Sequence, residues 1–156
     1  MRAAIGFGLS LGMWLSAGLA QAQETGQKGQ GVAAKLIGTY KLVSGSNGGK
    51  DIPKDHLNGQ VRIAKDVITT YDAEHKEVYV VRYNIDREGE PARIAMTVTS
   101  SSRPGSMGMK GRGLVKVEGK KLTLIYDYKG EEFPSDFEPK GDTQNRLVME
   151  RINDPK

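Results

Sequence analysis

A chain of 156 residues with no cysteine carries no disulfide, no thiolate metal site and no lipid attached through a cysteine. Its formal net charge of +4 comes from basic and acidic residues interleaved along the sequence, as in Lys129-Gly130-Glu131-Glu132, so it lacks the basic stripe of a nucleic-acid partner. Beyond the N-terminal segment the length suits one domain with one core.

Residues 1–22 differ from the rest. Arg2 is the only charge before Glu24, residues 3–19 are apolar and small, and the stretch ends in Ala20-Gln21-Ala22. A positive start, a short apolar run and a small-x-small terminus predict a secretory signal peptide cleaved after Ala22. The run is short for a bilayer span, which needs roughly 20 residues. The mature chain is therefore expected to be exported, periplasmic or extracellular, with no stable membrane anchor after cleavage. Export without cysteine suits a bacterial envelope. Trp14, the only tryptophan, would leave with the signal.

Residues 23–35 read as a flexible lead, rich in Gln and Gly, with a hint of a helical turn from Val32. Short β-type runs follow, separated by turn residues. The first, 39–44, places Tyr40 and Leu42 on one face and ends in the turn chemistry of Asn47-Gly48-Gly49. A short helix is expected near 53–57. The runs 60–64 and 67–71 come next, with Val61 and Ile63 alternating against Gln60 and Arg62. In 78–85, Tyr79, Val81, Tyr83 and Ile85 share a face, and in 92–99 Ile94, Met96 and Val98 do. A glycine-rich loop is expected over 100–112. The runs 113–118 and 121–126 then form a hairpin, with Leu122, Leu124 and Tyr126 on one side. Residues 127–145 are irregular, and 146–152 closes the domain.

Eight strands without crossover helices predict an all-β fold: a small, antiparallel, up-and-down eight-stranded barrel, with a two-sheet β-sandwich as the alternative. The domain is expected to span 36–152, followed by a tail at 153–156.

Several segments resemble a known family. Gly38-Thr39-Tyr40-Lys41-Leu42-Val43, then Gly49-Lys50-Asp51-Ile52-Pro53, then 113–124, Glu132-Phe133-Pro134-Ser135-Asp136-Phe137 and Leu147-Val148-Met149-Glu150-Arg151 are similar, in order and spacing, to lipocalin-like domains of unknown function abundant in planctomycete bacteria. Glu132-Phe133 stands where the family has Arg before proline, and Val115 where an aromatic is common. The resemblance implies a lipocalin-like barrel whose ligands are not established. It also implies a structural plug at the closed end, with Arg151 of the last strand packed across Tyr40.

Sites for chemistry are sparse. His56 and His75 lie in polar connecting segments, and a metal would need three or four converging ligands. Both are read as exposed titrating side chains, with haem binding a remote alternative. Met107 and Met109 make a poor soft-metal site without cysteine or histidine nearby. Arg103, Lys110 and Arg112 make the glycine-rich loop basic, where an anionic ligand or lipid headgroup could meet it. Gly108-Met109-Lys110-Gly111-Arg112-Gly113 lacks the strand-turn-helix setting of a nucleotide fingerprint. The serines Ser100-Ser101-Ser102 have no recognisable histidine partner. The expectation is a protein that is not an enzyme and uses no metal or cofactor.

Two readings remain. In the first, a small hydrophobic molecule or lipid binds inside the barrel. Its candidate contacts are Tyr40, Leu42, Ile63 and Tyr79 from the first half, and Tyr83, Met96, Leu124 and Tyr126 from the second. In the other, the core is filled and the domain serves protein interaction or envelope structure, with an unknown partner. Runs of five or six residues suggest a short barrel that side chains could largely fill.

Overall fold

The structure, a computed structural model, describes residues 31–153. The expected signal peptide, most of the lead and the tail beyond Asn153 lie outside the described residues. A five-residue helix, α1 (Val32–Leu36), takes the end of the segment read as a lead.

Among the described residues there are nine strands: β1 (Gly38–Asn47), β2 (Lys50–Asp51), β3 (Gln60–Ile63), β4 (Val67–Tyr71), β5 (Glu77–Arg87), β6 (Ala92–Ser101), β7 (Lys110–Glu118), β8 (Lys121–Asp127) and β9 (Gln144–Asn153). Strand β1 and strands β3 to β9 pair in sequence order, and β9 pairs back onto β1. Every pairing is antiparallel, and the closing one runs from Thr39↔Asn153 to Asn47↔Asn145. Closure along that length makes a barrel of eight strands, and the sandwich alternative falls. Strand β2 is a short outer addition, hairpinned to β1 through Ser46↔Asp51 and Asn47↔Lys50. Gly48 and Gly49 between them both have positive φ, at 57° and 78°, as a primed two-residue turn requires.

The predicted runs all become strands, but several are longer than their hydrophobic alternation. Strand β5 has 11 residues, and β6 and β9 have 10 each. Ladder pairing extends onto polar residues such as Ser100, Ser101 and Arg87, which carry no apolar signal. Strand β7 begins at Lys110, so the glycine-rich connection is only 102–109. The short helix near 53–57 is a single 3-10 turn, Lys54–His56. The register of β1 against β9 shifts between Leu42 and Ser44, and Val43 between them is 47% exposed.

Helix α1 closes one end. Leu36 is buried in the main core with Tyr40, Tyr83, Ala92, Val115, Leu122 and Met149. A second, smaller buried layer lies outside the barrel. By strand alternation Leu114, Thr123 and Ile125 point away from the interior, yet all three are buried. The 128–143 connection covers that face. Phe133 lies under the Arg93 and Arg112 guanidiniums at 4.9 and 5.4 Å, and Phe137 under the Lys116 ammonium at 4.8 Å. That irregular segment is therefore a strap on the outer wall.

Candidate ligand cavity

The barrel interior is hollow. A cavity of about 320 Å³ runs from Leu36, beneath α1, toward the opposite end. There it is bordered by Asn47 of β1, by Ser106 and Met109 of the 102–109 loop, and by Tyr128. The inward side chains leave that space unfilled.

Of the candidate contacts, the structure brings Ile63, Tyr79, Met96, Leu124 and Tyr126 to the cavity wall. Val61, Val81, Ile94, Val98 and Leu122 from the same alternating faces join them. Tyr40, Leu42 and Tyr83 belong elsewhere. Leu42 packs against the core beside the β1 irregularity. Tyr83 donates its hydroxyl to the Ala64 carbonyl at 2.8 Å, at the closed end. Burial first, then Asp66 and Tyr40, push its phenol up to about 12.

Tyr40 forms the floor structure with Arg151, its cross-strand partner. The Arg151 guanidinium carbon lies 5.4 Å from the Tyr40 ring centroid. One guanidinium nitrogen donates to the Tyr40 hydroxyl at 2.8 Å and also to the Lys35 carbonyl. The Tyr40 hydroxyl in turn donates to the Leu36 carbonyl at 2.7 Å. These bonds tie the last turn of α1, whose carbonyls have no partner within so short a helix, to β1 and β9. The pair thus sits where a plug would, below the cavity and away from its wall.

The upper wall is polar in a specific way. Tyr126 is in register with Asn145, which is in register with Asn47. The Asn145 side chain accepts the Gly48 amide at 3.0 Å and donates to the Tyr126 hydroxyl at 3.2 Å. Burial pushes the Tyr126 phenol up, opposed by the Asn145 hydrogen bond and reinforced by Tyr79, so this hydroxyl keeps its proton at neutral pH. Room for the ring comes from β7. A Cβ at Gly111 would stand 3.6 Å from Tyr126 Cδ2, and one at Gly113 would stand 3.0 Å from Tyr126 Cβ and 2.4 Å from the Ile125 carbonyl. Gly111 and Gly113, two apart on the inward face, are the sequence signal for this space. It is hidden when residues 100–112 are read as one loop.

The three basic residues assigned to that loop separate. Lys110 borders the cavity, and Arg103 lies over the Tyr79 ring at 5.7 Å. Arg112 faces outward and donates to the Glu131 carbonyl at 3.0 Å. Met109 is at the rim and Met107 is exposed. His56 is exposed, 3.8 Å from Asp55, and His75 sits in a turn with φ 60°. Among the described residues no three His, Cys, Asp or Glu side chains converge as metal ligands, and no helix is long and apolar enough to cross a membrane.

Fold and cavity define a closed eight-stranded antiparallel barrel with an apolar interior open at one end. No family model, curated protein or solved structure matches the chain.

Proposed function

We propose that this is an exported, non-catalytic binding protein that holds one small hydrophobic molecule inside its barrel. The cavity carries the reading: about 320 Å³, floored by the α1 plug and walled by Ile63, Val81, Ile94, Leu124 and their neighbours. At about 30 Å³ per water-sized group, that space takes roughly ten non-hydrogen atoms. It lies at the small end of the range for ligand sites, about 300–1,000 Å³. Each buried methylene contributes about 0.8 kcal/mol, and association itself costs about 4 kcal/mol or more, so micromolar binding needs polar contacts as well as the apolar tail.

Two features of the sequence support the rest of the reading. Residues 1–22 have the charge and small-residue pattern of an export signal. The order of motifs from Gly38 to Arg151 resembles the lipocalin-like domains named above, and the proposal places the chain among them. Native mass spectrometry of the protein purified from its own host tests the function. A reproducible adduct of small-molecule mass, removed by organic extraction, is expected. Bare protein that also ignores apolar dyes would instead favour an interaction domain with no ligand.

A further inference from the structure

We propose that the ligand is a single-chain amphiphile with an acidic head, inserted tail first, whose head group is held at the mouth by the Tyr126 hydroxyl. This rests on the reading of the cavity as a ligand site.

The cavity is graded from floor to mouth. Its lower wall, at Leu36, Leu122 and Met149, is apolar, and its upper wall includes Asn47, Thr70, Tyr79, Tyr126 and Asn145. Strand direction fixes that order: the β7–β8 turn at 119–120 lies at the plugged end, so β8 climbs from Leu122 to Tyr126. Asn145 is committed on both sides of its amide, to the Gly48 N–H and to the Tyr126 oxygen. The Tyr126 oxygen is thereby used as an acceptor. Its own hydrogen has no acceptor among the described residues, and burial keeps that hydrogen in place. A hydroxyl donor fixed in a buried wall by its neighbour selects a head group that accepts.

Charge narrows the class. Arg103, from the 102–109 loop, lies over the ring of Tyr79 at the mouth. It is in no ion pair among the described residues. A carboxylate accepts from the tyrosine and is attracted by the Arg103 guanidinium. An alcohol accepts without the charge, and an ammonium offers only further donors. Room for roughly ten non-hydrogen atoms fits one chain of about ten carbons and excludes a two-chain lipid.

Calorimetric titration of the purified protein with decanoate, decanol and decylammonium tests the proposal, using Tyr126→Phe as the variant. Decanoate should bind about fivefold tighter than decanol and at least about tenfold tighter than decylammonium. Tyr126→Phe, checked for folding by circular dichroism, should weaken decanoate about fivefold while moving decanol less than about twofold. If that variant does not fold, Arg103→Gln takes its place and should weaken decanoate by about threefold and leave decanol unchanged. Equal binding of all three probes, or decanoate indifferent to these substitutions, overturns the head-group assignment and leaves the apolar cavity as a ligand site. Failure of every probe to bind overturns the cavity reading beneath it.

Discussion

Arg151→Ala tests whether the closed end depends on one side chain. The substitution removes a charge-assisted hydrogen bond to the Tyr40 hydroxyl, another to the Lys35 carbonyl, and the guanidinium stacked 5.4 Å from the Tyr40 ring. Charge-assisted bonds are worth about 1.5–3 kcal/mol each and the stacking about 0.5–2 kcal/mol, against about 2 kcal/mol of side-chain freedom regained. A net loss of about 3 kcal/mol follows, which for a domain of this size lowers Tm by about 10 °C. Thermal melts of Arg151→Ala, Tyr40→Phe and the double variant separate the direct bond from the rest. Tyr40→Phe alone also strips the Leu36 carbonyl of its donor. The cycle should show a coupling of about 1–2 kcal/mol, beyond the about 0.3–0.5 kcal/mol scatter of independent sites. Additive effects, or a Tm unmoved by Arg151→Ala, would refute the plug.

Other perturbations separate the parts of the fold. Gly113→Ala should cost about 1–3 kcal/mol, because its Cβ would sit 2.4 Å from the Ile125 carbonyl, whereas Gly111→Ala meets only contacts of 3.4 Å and beyond and should melt within about 1 kcal/mol of wild type. Urea titrations of both variants check this pair. Tyr83 ties stability to alkaline pH. Its folded-state phenol, raised from 10.0 to about 12, holds its proton where the unfolded chain has lost it, so stability is full below pH 10.0 and falls as pH rises toward about 12. Tyr83→Phe should flatten that fall in a pH series of melts, although it starts lower at neutral pH for want of the bond to Ala64. Phe133→Ala and Phe137→Ala should expose the 128–143 strap to limited proteolysis while leaving cavity binding within about twofold, since both rings lie on the outer wall.

Barrel architecture was legible because its inward faces alternate cleanly: Tyr79 with Val81, Ile94 with Met96, Leu122 with Leu124. Period-two patterning says which face a residue takes and little about where the ladder ends. Strand β5 therefore continues through Asp86 and Arg87, and β6 through Ser100 and Ser101, without an apolar cue. The irregularity at Val43 is silent for a related reason. A one-residue shift in pairing leaves no mark in composition, yet past it Gly45 and Asn47 share rows with Leu147 and Asn145. Polar inward residues are the hardest to foresee. Asn145 reads as an end-of-loop residue until its row places it beside Tyr126. Leu114 and Ile125 fall on the outward face by alternation, and only the strap over 128–143, which no local pattern announces, explains their burial there.

The most direct test of a ligand inside the barrel is spatial. Isotope-filtered NMR on the protein loaded with decanoate reports which protein methyls lie near the probe's terminal methyl. Cross-peaks to Leu36, Leu122 and Met149, the floor of the cavity, are the predicted result. Cross-peaks confined to Val43 and Ile152, which are exposed on the outer surface, would contradict it.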